Sequence, residues 1–170
     1  MTQLTLVLGG ARSGKSRLAE GLVARLPPPW TYIATAQAFD EEMRTRIATH
    51  AARRDAGWRT VEAPHDLAGA LDAASGPVLV DCLTLWVSNA LLRGDDLDAA
   101  ADGLLAALGR RGAETVLVSN EVGLGIVPDN ALARAFRDAA GTLHQRVAAR
   151  ADRVAFVAAG LAVWLKGEEG

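Results

Sequence analysis

Small residues, two serines and one lysine fall close together near the start of the chain. They are Gly9, Gly10, Ala11, Arg12, Ser13, Gly14, Lys15 and Ser16. The spacing G-x-x-x-x-G-K-S is that of a phosphate-binding loop, which follows a strand and opens a helix. In such a loop, backbone N–H groups surround phosphate oxygens, and the lysine neutralises the β- and γ-phosphates. The pattern predicts nucleoside triphosphate binding but does not choose between hydrolysis and transfer.

An aspartate completes this chemistry farther along the chain. Asp81 ends the apolar run "PVLVD", where a carboxylate is the expected Mg²⁺ partner of a phosphate loop. The Ser16 hydroxyl is the other expected metal ligand. A strand-terminal aspartate that caps the next helix is the alternative, and the preceding phosphate loop makes it less favoured. We therefore expect Ser16 and Asp81 to hold Mg²⁺.

A histidine lies among arginines in "DEEMRTRIATHAARRDAGW". In a helix, Met43, Ile47 and His50 share one face, with Arg46 and Arg54 one turn to either side of the histidine. Neighbouring arginines disfavour the imidazolium form, and arginines also bind polyphosphates. A neutral His50 can then act as a nucleophile towards an α-phosphate. From the residues alone, an amphipathic helix with a half-buried histidine is the commoner case, and both interpretations stay open.

Alternating apolar runs and helical patterns predict how these residues are positioned. Strands are expected at 4–8, 31–35, 59–63, 78–82, 115–119 and 153–158, and helices at 15–26, 40–54, 66–74, 84–92, 96–108 and 130–150. Continuous apolar runs are typical of strands buried on both faces. These patterns predict an α/β fold class, and together with the phosphate loop they lead us to expect a single P-loop NTPase-like (RecA-like) domain over residues 1–170. Its sheet is mostly parallel, with helices on both faces.

Further polar and small residues follow the predicted strands. Ala34, Thr35 and Ala36 come after the second strand and Glu62 lies near the end of the third, at the sheet edge where ligands bind in such folds. The segment "SNEVGLGIVPDN" follows the fifth strand, and its glycines are typical of a lid or substrate clamp. A tight turn, a surface glutamate and a structural loop are the respective alternatives.

Composition narrows the class of protein. Of the 170 residues, 50% are hydrophobic and 22% are charged, and the formal net charge is −2. This balance does not indicate a protein that binds nucleic acid or a membrane surface. The apolar runs are shorter than the ~20 residues of a membrane span, and no cationic segment precedes the first run. The single cysteine, Cys82, permits a cytoplasmic location, which we expect.

Six motifs, taken in order, resemble one family. They are "GGARSGKS", "YIATA", "DEEMRTRIATHAARR", "WRTVEAP", "VLVDCLT" and "VLVSNEVGLGIVPDN". Together they resemble the bifunctional adenosylcobinamide kinase/adenosylcobinamide-phosphate guanylyltransferase of cobalamin biosynthesis. The combination of "RIATHAARR" with "SNEVGLGIVP" is the specific part, and the resemblance extends to about Lys166.

The resemblance implies two reactions and a set of site residues. The enzyme phosphorylates adenosylcobinamide with ATP or GTP and then transfers GMP from GTP to adenosylcobinamide phosphate, releasing pyrophosphate. The family's guanylylated histidine falls on His50, and its members are trimers. The implied nucleotide contacts are the eight loop residues Gly9 to Ser16 with Ala34, Thr35, Ala36, Ala51, Ala52, Arg53, Arg54, Glu62 and Asp81. Some members have glutamate where this chain has Asp81.

Two other functions remain compatible with the phosphate loop. A small-molecule kinase without guanylyl transfer would leave His50 with a structural role. A nucleotide-dependent switch would report its bound state to a protein partner through its loops. A protein–GMP adduct separates the transferase from both alternatives, since neither forms one.

Overall fold

The computed structural model describes residues 3–37, 41, 44–45 and 56–168. The strands are β1 Leu4–Gly9, β2 Trp30–Ala34, β3 Trp58–Glu62, β4 Val78–Asp81, β5 Thr115–Asn120, β6 Arg153–Ala158 and β7 Leu161–Lys166. The helices with both ends described are α1 Lys15–Ala24, α2 Leu67–Ala73, α3 Leu83–Arg93, α4 Leu97–Arg110 and α5 Ala131–Arg150.

The seven strands form one sheet in the order β3-β2-β4-β5-β1-β6-β7. Every pair among β1 to β6 is parallel, and β7 pairs antiparallel with β6. The six predicted strands are confirmed with shifts of one residue at most. The sequence analysis did not predict β7, which adds an antiparallel edge.

Helices cover both faces of the sheet, as predicted. Successive side chains of a strand point to opposite faces, so Leu6 packs on one face and Val7 on the other. The face of Leu6 is covered by residues of α2, α3, α4 and α5. The face of Val7 packs against Ala19, Leu22 and Val23 of α1.

Five of the predicted helices are confirmed, and three of them begin at polar side-chain caps. The side chains of Asp66, Asp96 and Asn130 accept hydrogen bonds from backbone N–H groups in the first turns of α2, α4 and α5. Such caps satisfy donors that the helix itself leaves free. The predicted helix 40–54 lies mostly outside the described residues, and Glu41, Arg44 and Thr45 are helical.

In the described part of the chain, no helix has the length and apolar character needed to cross a membrane.

Parallel pairing brings the carboxyl ends of the strands to one edge. Gly9 pairs with Asn120, and Ala34 pairs with both Glu62 and Asp81. Residues far apart in sequence therefore lie side by side where the phosphate loop begins. This edge is where ligands bind in open parallel sheets.

Candidate active site

The phosphate loop, residues 9–16, connects β1 to α1 in a conformation that depends on glycine. Gly14 has φ +97°, and a Cβ there would lie 3.1 Å from the Cα of Gly160. A Cβ on Gly9 would lie 2.5 Å from the carbonyl oxygen of Val157 and 2.6 Å from Ser13 Oγ. Both positions therefore exclude a larger side chain.

Backbone hydrogen bonds fix the loop against the turn between β6 and β7. The N–H of Gly160 donates to the carbonyl of Ser13 at 2.7 Å, and the N–H of Ser13 donates to the carbonyl of Gly10 at 3.3 Å. Gly160 also lines the open cleft above the loop, whose volume is about 770 Å³. This contribution of Gly160 was not predicted, because the turn precedes an edge strand that the sequence pattern did not reveal.

The polar groups of the loop match a phosphate group. The Lys15 side chain is only 8% exposed, and its Nζ donates to the carbonyl of Gly10 at 2.9 Å. The buried Ser13 Oγ has no hydrogen-bond partner among the described residues. A buried hydroxyl without a hydrogen-bond partner destabilises the protein, so the unpaired Ser13 hydroxyl is suited to bind a polar ligand. A phosphate oxygen can accept from both Ser13 and Lys15.

The two predicted metal ligands are in contact. Ser16, in the first turn of α1, donates from Oγ to Asp81 Oδ2 at 3.1 Å. Asp81 ends β4 and is half-buried. A hydroxyl beside a carboxylate offers the hard oxygen ligands that Mg²⁺ prefers, so these residues fit the ion. That they hold it stays a prediction.

A tyrosine shares this carboxylate. Tyr32 of β2 is 6% exposed, and its hydroxyl donates to Asp81 Oδ2 at 3.0 Å. The sequence analysis treated Tyr32 only as part of a strand. The contact depends on the pairing of Ala34 with Asp81, which places Tyr32 on the same face two residues away, and the sequence alone carries no signal for that pairing.

The turn after β2 is joined to the end of β4. Thr35 is fully buried, and its Oγ1 accepts from Cys82 N at 2.8 Å and donates to the Cys82 carbonyl at 2.7 Å. Asn89 Nδ2 donates to the Thr35 carbonyl at 2.8 Å. The predicted nucleotide contact at Thr35 is untested, but its hydroxyl is already engaged in holding the residue after Asp81. Ala36 is half-buried and Glu62 is exposed at the same edge.

Cys82, the residue after Asp81, is buried. Burial raises the pKa of its thiol, and the negative charge of Asp81 raises it further. The thiolate is the reactive form of cysteine. A protonated, buried thiol is unsuited to act as a nucleophile at this edge.

The end of β5 is anchored by a buried polar pair. Ser119 Oγ lies 2.6 Å from His144 Nε2 of α5. Burial lowers the pKa of His144, although the Glu121 carboxylate opposes this shift. The structure therefore buries His144 in the seam between α5 and the sheet.

The segment that follows, residues 121–130, is here called the acceptor loop. Its first residue, Glu121, donates its N–H to the carbonyl of Gly9 at 2.9 Å. Three of its apolar side chains are exposed: Leu124 at 81%, Ile126 at 97% and Val127 at 61%. The acceptor loop therefore begins beside the phosphate loop and exposes an apolar surface of its own to solvent.

The predicted nucleophile and its neighbours lie outside the described residues. They are His50, Ala51, Ala52, Arg53 and Arg54. Their predicted roles therefore rest on the sequence alone.

Comparison with known proteins assigns the chain to a family. The family model for CobU, described as cobinamide kinase / cobinamide phosphate guanyltransferase, matches residues 5–165. The chain belongs to this family. It is similar to the bifunctional adenosylcobalamin biosynthesis protein CobP of Pseudomonas aeruginosa, with 55% identity over 96% of this chain and 97% of the relative. It is also similar to the corresponding CobU protein of Salmonella typhimurium, with 45% identity over 96% and 99% of the two chains.

Solved structures share the CobU-family chain's fold at low identity. The flagellar accessory protein FlaH from Methanocaldococcus jannaschii matches with a TM-score of 0.54 and 12% identity, over 96% of this chain and 78% of that one. A KaiC-like protein from Pyrococcus horikoshii matches with a TM-score of 0.50 and 12% identity, over 91% and 71%. These likenesses concern the fold alone and confirm the P-loop NTPase class.

Membership of the CobU family also confirms the transferase prediction. The family joins a kinase and a guanylyltransferase, so the chain is a transferase of cobalamin biosynthesis that uses nucleotide substrates. The switch and the kinase without guanylyl transfer are correspondingly less favoured. The phosphate loop, Lys15 and Asp81 lie together at one edge of the sheet.

Asp81→Asn tests the metal assignment. The change keeps the side chain's shape and removes its charge, so we expect the Mg²⁺ concentration for half-maximal activity to rise about tenfold or more. GDP binding in EDTA should change little. Asp72→Asn is the control, because Asp72 lies in an exposed ion pair with Arg110. If added Mg²⁺ does not reduce the deficit, Asp81 does not hold the ion and only joins α1 to β2 through its contacts with Ser16 and Tyr32.

Proposed function

We propose that this chain phosphorylates the aminopropanol hydroxyl of adenosylcobinamide with ATP or GTP, and then transfers GMP from GTP to the new phosphate through His50. The observation that carries the proposal is the contact of Ser16 with Asp81 beside the buried Lys15, within a kinase–guanylyltransferase family. The products are adenosyl-GDP-cobinamide and pyrophosphate.

In the kinase step, the substrate hydroxyl oxygen forms a bond to the γ-phosphorus while the bond from that phosphorus to the β–γ bridging oxygen breaks. Lys15 neutralises the charge on the β- and γ-phosphates. Ser16 and Asp81 hold Mg²⁺, which when bound offsets the charge that develops on the leaving nucleoside diphosphate. The hydroxyl proton leaves with solvent, and the step has no need of a histidine nucleophile.

In the guanylyl step, a neutral nitrogen of His50 attacks the α-phosphorus of GTP. The P–N bond forms as the bond to the pyrophosphate oxygen breaks. A phosphate oxygen of adenosylcobinamide phosphate then attacks the same phosphorus and displaces His50. Arg53 and Arg54 grip phosphate oxygens during this transfer. The remaining nucleotide contacts proposed are Ala34, Thr35, Ala36, Ala51, Ala52 and Glu62.

The acceptor loop is proposed to receive the corrinoid. It begins beside Gly9, and its exposed apolar side chains match the methyl-rich rim of a corrin ring. Isolated exposed apolar residues are normal, but a contiguous set beside a site is typical of a ligand surface. Leu124, Ile126 and Val127 would bury apolar area only when the substrate is bound.

Ile126→Ser tests the loop. Since burying such a side chain contributes about 1.5–3 kcal/mol, we expect the KM for adenosylcobinamide to rise about tenfold or more, with the KM for GTP unchanged. Leu92→Ser is the control, because Leu92 is 64% exposed at the far end of α3. An equal rise for GTP, or none for the corrinoid, would assign the loop another role.

Labelled GTP tests the two reactions together. With adenosylcobinamide and GTP labelled at the γ-phosphate, the label should appear on cobinamide phosphate. With the α-phosphate labelled, it should appear first on denatured protein and then on GDP-cobinamide. A γ-transfer without any α-transfer would indicate a kinase alone, and hydrolysis without either would indicate a switch.

We also propose that the protein works as a single-domain homotrimer in the cytoplasm. The family resemblance supports the trimer. One face of β7 exposes Leu161, Val163 and Leu165 at 74%, 60% and 63%, and subunit contacts typically cover such apolar strips. Light scattering of the purified protein measures the number of subunits directly.

A further inference from the structure

Two donors from different elements converge on one oxygen of Asp81. Ser16 Oγ reaches Oδ2 from α1 at 3.1 Å, and Tyr32 reaches the same atom from β2 at 3.0 Å. Within the part of the chain that the structure describes, Oδ1 receives no hydrogen bond. The Asp81 carboxylate is therefore held in place through Oδ2, and Oδ1 is left to accept from a ligand or bind a cation.

The register of the sheet explains how Tyr32 reaches this position. Ala34 pairs with Asp81, so Tyr32 lies diagonally across from Asp81 on the same face. Diagonal neighbours are about 7–8 Å apart, a distance that an aromatic side chain can span. The Tyr32 ring is held by an edge contact with Trp58, whose centroid lies 6.3 Å away at 80°. Its hydroxyl is thus carried by a packed ring.

We propose that Tyr32 is a positioning residue for the metal-binding carboxylate of Asp81. The inference rests on the proposed role of Ser16 and Asp81 as Mg²⁺ ligands. A hydroxyl can bind the ion through a lone pair on its oxygen while its proton still points to Asp81, so Ser16 can contact both. Tyr32 is the donor that does not itself bind the ion, and it holds the orientation of the Asp81 carboxylate.

The chemistry of metal sites gives the size of the effect. Groups that hydrogen-bond to a metal's ligands fix their orientation, and replacing such a group typically lowers metal affinity or activity by about 10–100-fold. Tyr32→Phe removes the hydroxyl and keeps the ring. We expect it to weaken metal binding by about tenfold or more, with GDP binding in EDTA unchanged.

Mn²⁺ binding measures this directly. Loss of the free-Mn²⁺ electron paramagnetic resonance signal, with GDP present, gives the affinity of the wild-type protein and of Tyr32→Phe. Thr115→Val is the control, because it removes a buried hydroxyl at the opposite edge of the sheet, where Thr115 Oγ1 donates to the carbonyl of Ala113. Equal Mn²⁺ affinities for wild type and Tyr32→Phe would overturn the proposal, as would an equal loss in Thr115→Val.

A second measurement, also independent of activity, detects the hydrogen bond of the Tyr32 hydroxyl itself. The chain contains one tyrosine, so ring-¹³C labelling of tyrosine gives a single Cζ resonance. We expect the chemical shift of this resonance to change in Asp81→Ala. We also expect it to change in the wild-type protein when Mg²⁺ and GDP are added without Mn²⁺. An unchanged chemical shift in Asp81→Ala would refute the hydrogen bond between Tyr32 and Asp81. If wild-type protein transferred no GMP, the proposed function would fail while both of these results could still stand.

Discussion

Replacing Lys15 by alanine is expected to slow both transfers by about 10²–10⁴-fold, by analogy with other electrostatic groups removed from an active site, because the β- and γ-phosphates lose their main positive partner. In the structure the ammonium group donates to the Gly10 carbonyl at 2.9 Å and is nearly buried. It is therefore already positioned in the loop, and it needs only to exchange a carbonyl for phosphate oxygens. Initial rates of γ-label transfer and of protein guanylylation measure the loss.

The sequence supplies a matched control for this variant. Lysine occurs at only two positions, Lys15 and Lys166. Lys166 ends β7, where its Nζ donates to the carbonyls of Ala148 and Ala149. Lys166→Ala therefore removes the same charge away from the cleft and should keep near-normal rates. Near-normal rates in Lys15→Ala would remove the basis for assigning the loop to the triphosphate.

The sheet was predictable because buried parallel strands leave an apolar signature. The apolar runs around Val80 and Leu117 are fully buried in the structure. The contact of Ser16 with Asp81 follows once β1 and β4 are known to be parallel strands of one sheet. Strand β7 was not predictable in the same way. Its residues 161–166 follow β6 after a turn with positive φ at Ala159 and Gly160, and an antiparallel edge breaks the alternation of strand and helix.

The roles of single polar side chains were less accessible than the elements that carry them. Tyr32 resembles any aromatic residue of a buried strand until the pairing of β2 with β4 places it diagonally to Asp81. The hydroxyl of Thr35 holds the backbone of Cys82, a role that the sequence pattern did not reveal. Such assignments depend on which strands are neighbours and on their register, and a single sequence specifies neither directly.

The second large effect is expected at His50, where alanine should abolish the protein–GMP adduct and guanylyl transfer together. The family match motivates the assignment, together with Arg46 and Arg54, which the sequence pattern predicts one helical turn to either side of His50. Kinase activity should persist in His50→Ala, because γ-phosphoryl transfer to an alcohol depends on Lys15 and the metal ligands. Incubation with Mg²⁺ and α-labelled GTP, followed by denaturation, measures the adduct. Cobinamide phosphate formation from γ-labelled GTP measures the kinase step.

The chemistry of the bond identifies the nucleophile independently of the variant. A phosphoramidate at a histidine nitrogen should be labile to acid and comparatively stable to base, whereas an ester to Ser13, Ser16 or Thr49 would not share the acid lability. The chain has three histidines, and His65→Ala serves as control because His65 is exposed at the start of α2. Arg54→Ala should slow adduct formation without abolishing it, since it binds phosphate and forms no covalent bond. An undiminished protein–GMP adduct in His50→Ala would show that another residue is the nucleophile. Loss of kinase activity together with the adduct would show that the variant disturbs the triphosphate site as a whole rather than one bond-forming nitrogen.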